Sequence, residues 1–286
     1  MNNAIETMLK KYRIENKSDK ENAIKEIVQE IVLSGLSRGG FFDKAVFYGG
    51  TCLRIFHNLD RFSEDLDFAL IEKDNNFNIE NYFASIKKEL MSFGLEMEVS
   101  KKNKSQDGND IQSAFVKGNT QMLVLTFFPN ESANDIISNQ TIKIKFEIDT
   151  DNPSGGIIET RYNLLPSPYE VKIFDETTLF AGKIHAIICR DYKNRVKGRD
   201  YYDYLFYCAR NTKVNLVYLE NKLKNSGKMS DNEHLDIALV KKMLKDRFES
   251  LDYEAAKKDV SSFINDTSSL EIWGRDLFAS TLDKLY

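Results

Sequence analysis

FYGGTCLR, residues 47–54, and RFSEDLDF, residues 61–68, are the two stretches that decide the fold. The first predicts a short strand over residues 45–48 that runs into a glycine pair and then into a helix through Phe56. Backbone N–H groups are exposed where that helix begins, and phosphate can approach them because glycine has no side chain. Residues 49–51 are therefore a candidate phosphate-binding turn.

The second stretch predicts a strand over residues 65–70 that carries two aspartates. Because side chains alternate along a strand, Asp65 and Asp67 share one face, while Leu66 and Phe68 share the other. Two carboxylates on one face repel each other unless a cation lies between them. Such a pair suits Mg²⁺, or Mn²⁺, that also contacts substrate phosphates, so both aspartates are candidate metal ligands.

A third acidic position lies in a distant β-rich segment, IKIKFEID, residues 142–149. Its alternation places the apolar side chains on one face and the charged ones, including Glu147 and Asp149, on the other. If this strand lies beside residues 65–70, Glu147 or Asp149 reaches the same ions. Three carboxylates around two cations about 3.5–4 Å apart form the two-metal arrangement for in-line displacement at phosphorus.

The helix predicted over residues 175–190 carries a second group of charges. Lys183 shares an apolar stripe with Phe180 and Ile187, and Arg190 returns to the same face. A lysine in this position usually extends its ammonium to solvent, but it is also where a cation would be held against a substrate phosphate.

Two aspartates follow on the next predicted helix. Asp200 and Asp203 are one turn apart and face one way, and an ion pair between Arg199 and Asp203 is the structural alternative to a catalytic role. The run from Lys183 to Arg199 has six cations against one acid, which indicates an RNA or triphosphate contact, with a solvated loop as the alternative. The six cations are Lys183, Arg190, Lys193, Arg195, Lys197 and Arg199.

The composition excludes several classes of protein. Lys and Arg total 40 against 44 Asp and Glu over 286 residues, so the chain is not a basic nucleic-acid coat. Its first residues have no apolar signal core, and no run of 18 apolar residues occurs, so we expect a cytoplasmic protein with no membrane span. The sequence lacks the P-loop, dinucleotide-binding, zinc-protease and nucleophilic-serine motifs.

The order of predicted elements indicates an α+β fold. A helix over residues 19–36 precedes the two deciding stretches, and β-rich segments follow from about 95 to 165, ending near the prolines at 166 and 168. Beyond them we predict helices over 175–190, 199–209, 215–224, 233–248 and 270–285. The expected domains are 1–170, with N-terminal helices, and 171–286.

Taken together, the motifs resemble those of the AbiEii/AbiGii family of nucleotidyltransferase-like toxins, within the DNA-polymerase-β-like nucleotidyltransferases. The resemblance rests on GGT at 49–51, RFSEDLDF, Lys183 with Arg190, and Arg199-Asp200 with Asp203, and it covers about residues 45–205. It implies a nucleotidyltransferase core with a mixed or antiparallel sheet flanked by helices. A mostly helical C-terminal domain would complete the active-site cleft.

The resemblance also implies an activity. A nucleotide would pass from an NTP (GTP, CTP or UTP) to an RNA acceptor such as tRNA, with release of pyrophosphate, in a toxin of a toxin–antitoxin or abortive phage-infection pair with a separate antitoxin protein. The metal ligands would be Asp65, Asp67 and Glu147 or Asp149, and Lys183 with Asp200 or Asp203 would belong to the active site. The nucleotide contacts would be Gly49, Gly50, Thr51, Arg54, Ser63, Lys183 and Arg190.

Two alternatives stay open at this point. The chain could be a binding module of the same fold that grips RNA or a nucleotide without transfer, or a metal-dependent nuclease built from the same carboxylates.

Overall fold

The computed structural model describes residues 3–74, 76–100, 115–117, 120–129, 142–190 and 196–286. The chain forms two compact units. The first unit comprises Met1–Phe56, Phe62–Asn152 and Thr160–Ile173; the second comprises His57–Arg61, Pro153–Glu159 and Phe174–Tyr286. None of the helices that the structure describes is long and apolar enough to cross a membrane.

A mixed β-sheet organises the first unit. Its strands run in the order β3-β5-β6-β2-β1-β8-β7, and β4 pairs with β5. β1 is antiparallel to β2, whereas β2 and β6, like β1 and β8, are parallel. The strands are β1 (Ala45–Tyr48), β2 (Leu66–Leu70), β3 (Leu95–Ser100), β4 (Phe115–Lys117), β5 (Thr120–Pro129), β6 (Ile142–Asp149), β7 (Ile158–Asn163) and β8 (Tyr169–Phe174). The predicted α+β class and mixed sheet are confirmed.

Helices of the first unit pack against this sheet and against each other. They are α1 (Asn3–Leu9), α2 (Lys17–Arg38), α3 (Gly49–His57) and α4 (Phe83–Ser92). A reciprocal capping box between Asn16 and Asp19 starts α2, whose residues 26–36 are all buried. α2 and α4 approach closely at Gly35, where an added Cβ would lie 2.9 Å from the Cα of Ile86.

The second unit is helical. Its helices are α5 (Glu176–Cys189), α6 (Gly198–Ala209), α7 (Leu216–Asn225), α8 (Ile237–Glu249), α9 (Tyr253–Ser261) and α10 (Arg275–Thr281). Side chains of Asp175, Asn215, Asp236 and Asp252 each accept a hydrogen bond from the first turn of the helix that follows. Tyr204, Phe248 and Phe278 pack together in its core.

Two predictions about the fold are wrong. The β region does not end at Pro168, because Tyr169–Phe174 forms β8, which pairs with β1 through Phe47 and Ile173. The last predicted helix, 270–285, is also not continuous. Only Arg275–Thr281 is α-helical, and Gly274 has an extended backbone before it.

Candidate active site

The aspartate pair lies at the start of β2. Asp65 immediately precedes the strand and Asp67 is its second residue; both are half-buried, while Leu66 and Phe68 are fully buried. Burial of the two apolar side chains against the core therefore leaves both carboxylates on the opposite face. The alternation predicted from the sequence is confirmed.

The glycine turn is built around Asp67. β1 pairs with β2 so that Tyr48 is opposite Asp67, which places the next residue, Gly49, against the carboxylate. Gly49 has φ of +82°, and a Cβ there would lie 2.1 Å from Oδ2 of Asp67. Only glycine fits both the backbone conformation and the space. The turn and the acid consequently form one site.

Of the two acids offered by β6, Glu147 is the neighbour of Asp67. The parallel register pairs Asp67 with Glu147 and Ala69 with Asp149, so Asp149 is two residues further along the strand. Glu147 is half-buried and forms an ion pair with the ammonium of Lys145. Neighbouring residues in register project from the same face of a sheet. Glu147 thus extends the acidic face of β2 onto β6.

Two hydrogen bonds hold the backbone that leads into the aspartate pair. The buried Thr51 hydroxyl donates to the carbonyl of Asp65 at 2.5 Å. The amide Nε2 of Gln29, a fully buried residue of α2, donates to the carbonyl of Ser63 at 3.2 Å. The Thr51 hydroxyl therefore fixes the position of Asp65, and the contact of Thr51 with phosphate through the turn remains a prediction.

Arg54 also has partners within the protein. Its Nε donates to Oε2 of Glu26 at 2.9 Å, and its guanidinium lies 4.7 Å from the centre of the Phe62 ring. A cation over an aromatic face is attracted to it, so Arg54 joins α3 to α2 and to the loop before β2. The phosphate contact of Arg54 remains a prediction.

The chemistry of the donors fits a hard divalent cation. Carboxylate oxygens are the ligands that Mg²⁺ and Mn²⁺ take, and Mg²⁺ is commonly bound by one or two carboxylates together with substrate phosphates. Asp65 and Asp67 supply that pair on one face. Within the described ranges, no group of three or more His, Cys, Asp or Glu side chains is arranged to hold a metal ion. The three-carboxylate arrangement remains a prediction.

The second unit contains a cluster of five charges around two buried aspartates, which we call the buried cluster. Arg61 binds Asp203 through two hydrogen bonds of 2.6 and 2.7 Å, and both side chains are at most 3% exposed. The ammonium of Lys183 lies 2.8 Å from a carboxylate oxygen of Asp203 and 2.8 Å from one of Asp200. Arg190 forms a further ion pair with Asp200. The cluster holds three cations and two carboxylates.

These contacts keep both aspartates ionised. Burial alone would raise the pKa of Asp200, but Lys183 and Arg190 outweigh it and lower the pKa to about 2. The pKa of Asp203 is likewise lowered against its burial, by Arg61 and Lys183. Hence both carboxylates carry full charge at neutral pH and hold the cations in place.

Arg199 does not pair with Asp203 as the i, i+4 spacing suggested. Its guanidinium lies 4.1 Å from the centre of the Phe263 ring, and Arg61 takes the position beside Asp203. In the basic run that was predicted to contact RNA, Lys193 and Arg195 lie outside the described residues.

Sequence reasoning missed two residues that the structure places in these groups. Gln29 was not singled out, although it holds the Ser63 carbonyl, and Arg61 was quoted in the motif without a role, although it is central to the buried cluster. A signal for Gln29 was available: Leu33 lies on the other side of the α2 helix from Val28 and Ile31, which indicates that apolar side chains surround this part of the helix.

Comparison with known proteins identifies the class. The family described as nucleotidyl transferase AbiEii toxin, of type IV toxin–antitoxin systems, matches residues 31–281. The chain therefore belongs to this family of nucleotidyltransferase toxins, as the motifs predicted. No curated protein sequence matches the chain significantly.

Solved structures share the fold. MenT4 (Rv2826c), a nucleotidyltransferase toxin of Mycobacterium tuberculosis, is similar at a TM-score of 0.61 and 16% identity, over 100% of this chain and 90% of that one. JHP933 from Helicobacter pylori is similar at a TM-score of 0.50 and 18% identity, over 91% of this chain and 88% of that one.

Proposed function

We propose that this nucleotidyltransferase moves a nucleotide from an NTP to an RNA acceptor, such as the 3′ end of tRNA, in a Mg²⁺-dependent reaction. The observation that carries the proposal is the carboxylate of Asp67 packed against Gly49, with Asp65 on the same face and Glu147 in register beside Asp67. Anion-binding backbone and cation-binding carboxylates are thereby adjacent, as an NTP–metal complex requires.

The acidic face of β2 and β6 would hold the metal. Asp65 and Asp67 are the proposed ligands, and Glu147 is a better third ligand than Asp149 because it is the residue in register with Asp67. When bound, Mg²⁺ supplies charge neutralisation at the phosphate oxygens. The hydrogen bonds from Thr51 and Gln29 hold the loop before β2 in one conformation, so little reorganisation is needed when a cation binds.

The N–H groups at Gly49 and Gly50, where α3 begins, are the proposed contacts for the phosphates, and the Ser63 hydroxyl is a further proposed contact. In the reaction an acceptor hydroxyl oxygen forms a bond to the α-phosphorus while the bond from that phosphorus to pyrophosphate breaks, and the hydroxyl proton is lost to water. The protein contributes alignment of the two reactants and charge complementarity.

For the buried cluster we propose two roles. Lys183 and Arg190 contact nucleotide phosphates, which the excess of one cation in the cluster and the 44% exposure of the Arg190 side chain support. Asp200 and Asp203 act as positioning residues: Asp200 holds Lys183 and Arg190, and Asp203 holds Arg61 and Lys183.

In biological terms we propose a toxin that acts in the cytoplasm, where NTPs and RNA are available. Its reaction would inhibit growth in an abortive response to phage infection, under the control of an antitoxin protein. Membership of a type IV toxin–antitoxin family supports the toxin and antitoxin parts of this proposal.

The test is transfer of label to RNA. Purified full-length protein is incubated with total RNA and each α-³²P-labelled NTP in turn, with Mg²⁺, with Mn²⁺ or with EDTA. We expect one NTP to label a defined RNA band in the presence of either cation and no labelling in EDTA. An Asp65→Asn/Asp67→Asn double variant is the control, because it removes two charges at nearly unchanged volume.

The other outcomes separate the alternatives. RNA that becomes shorter, with no label gained, indicates a nuclease. Toxicity in cells that the double variant retains, with neither labelling nor cleavage in vitro, indicates a binding module and contradicts the proposal.

A further inference from the structure

The second unit has an open cavity of about 560 Å³ that the proposed reaction does not use. It is lined by one face of α6, by six of the residues between 269 and 284, and by Asn58 and Asp60 of the segment before Arg61. Ligand sites for molecules of nucleotide size typically have volumes of about 300–1,000 Å³ and combine apolar walls with a few polar groups. The cavity has both features.

Aromatic side chains form its walls. Tyr202 and Phe206, one turn apart on α6, are half-buried, whereas Tyr201, Tyr204 and Tyr207 of the same helix are core residues. Trp273 is 4% exposed, and its ring centre lies 6.3 Å from that of Tyr202. Tyr202 and Phe206 line the cavity, and aromatic side chains of this kind stack on nucleic-acid bases.

Polar groups of opposite charge line the same cavity. Asp60 is exposed, and its Oδ1 accepts a hydrogen bond of 2.5 Å from the Tyr202 hydroxyl. A carboxylate has about four acceptor positions, so Asp60 can accept further donors. Lys284 is an exposed cation, and the Ser269 hydroxyl can donate or accept. A planar ring would stack on the aromatic wall, an N–H donor would bind Asp60, and an anionic group would pair with Lys284. An occupant that carries all three groups would therefore fit the cavity.

We propose that this cavity binds one nucleotide whose base carries an exocyclic amino group. The base stacks on the aromatic wall, its amino group donates to Asp60, and its phosphate approaches Lys284. Aspartate accepts in this way from the amino group of cytosine, and uracil has no such group. The nucleotide is either free or part of an RNA chain, and the experiment distinguishes these sources.

A protein partner would need a different surface. Grooves that bind an amphipathic helix present a row of exposed apolar side chains at helical spacing. Of the large apolar side chains that are exposed in the described part of the chain, Ile272 is the one that lines this cavity. An apolar side chain would form neither a hydrogen bond with Asp60 nor an ion pair with Lys284, and both residues line the cavity. The observations therefore favour a nucleotide.

Trp273 makes the proposal directly testable because it is the single tryptophan of the chain. The full-length protein is titrated with CMP, AMP, GMP and UMP, and with a single-stranded CCA trinucleotide, while tryptophan emission is followed without NTP or metal. We expect saturable quenching by the amino-bearing nucleotides, and at least fivefold weaker binding of UMP.

Variants test the assigned contacts. Asp60→Asn keeps an acceptor for the Tyr202 hydroxyl and is expected to remove the preference for amino-bearing bases over UMP. Lys284→Ala is expected to weaken all four mononucleotides. Exposed Asp231, which does not line the cavity, provides the matched control Asp231→Asn, with wild-type binding expected. Circular dichroism verifies that each variant is folded.

The outcomes are distinct. Tighter binding of the trinucleotide than of CMP assigns the site to RNA, and tighter binding of CMP assigns it to a free nucleotide; both support the proposal. An unchanged emission up to millimolar nucleotide, a response to apolar helical peptides alone, or an unaltered base preference in Asp60→Asn overturns it. Because binding is measured without turnover, the proposal stands or fails independently of the transfer reaction.

Discussion

Two pairs of aspartates, Asp65 with Asp67 and Asp200 with Asp203, have opposite environments. The first pair is half-buried on a strand face beside a glycine turn, whereas Asp200 and Asp203 are 3% and 0% exposed and surrounded by three cations. The second pair is neutralised from within the protein. The first has solvent access that a cation and its phosphate ligands need. Spacing made both pairs candidates, and burial distinguishes the proposed metal site from the buried, ion-paired aspartates.

A third buried carboxylate sharpens the contrast. Glu30 of α2 is 7% exposed, like Asp200, but burial and the negative charge of Glu26 raise its pKa to about 7. Lys11 and a hydrogen bond from Asn163 oppose this and do not overcome it. Two close cations lower the pKa of Asp200 to about 2. Burial raises the pKa of both carboxylates, so the charges beside each one decide whether its pKa ends above or below the ordinary value.

The largest effect is expected for Asp67→Asn. The side chain keeps its shape and loses its charge, so transfer should fall at least about a thousandfold, equivalent to about 4 kcal/mol of transition-state stabilisation. Because Asp67 is half-buried, the urea midpoint should change little. Steady-state labelling and urea unfolding measure the two effects. A large loss of stability with retained activity would show that Asp67 supports the fold and does not take part in the reaction.

Asp203→Asn should show the reverse pattern. Removing one charge of a buried ion pair leaves Arg61 and Lys183 uncompensated, and we expect the free energy of unfolding to fall by about 3–4 kcal/mol. Urea unfolding followed by circular dichroism measures it. Exposed Asp283→Asn is the control, with a change within about 0.5 kcal/mol. An unchanged midpoint for Asp203→Asn would contradict the supporting role of the cluster.

Glu30→Gln should stabilise the protein in a pH-dependent way. Because the folded-state pKa of Glu30 lies above its unfolded value, the folded protein holds the proton more tightly, and stability decreases as pH rises from about 4.5 through 7. The variant removes this penalty, so it should be more stable than wild type by about 3 kcal/mol at pH 8 and nearly equal at pH 4.5. Urea unfolding at both pH values is the measurement, and a gain that is equal at both would show that charge is not the cause.

The smallest effect is expected for Thr51→Val. The change removes the hydroxyl that donates to the Asp65 carbonyl at nearly constant volume, and one lost hydrogen bond corresponds to about 1 kcal/mol, or a five- to tenfold lower kcat. Thr51→Ser keeps the donor and serves as the control. If Thr51 instead contacts phosphate, KM for the NTP should rise while kcat is retained.

Local patterns predicted the elements around the site closely. The strand and helix at 45–56, the β2 strand and its alternation, and β6 all follow from hydrophobic periodicity and glycine, which act over a few residues. β8 was missed because Pro166 and Pro168 suggested a boundary, although Tyr169, Val171 and Ile173 alternate with polar residues. Its position is stabilised by pairing with β1, more than a hundred residues away in sequence.

By itself, the sequence determined the elements around the site, the family and the identity of the acids, because periodicity, turn residues and motif spacing are local properties. Only the tertiary structure decided that Glu147 rather than Asp149 is in register with Asp67, and that Arg61 rather than Arg199 binds Asp203. Register and ion pairing depend on residues brought together by packing, which spacing along the chain does not specify.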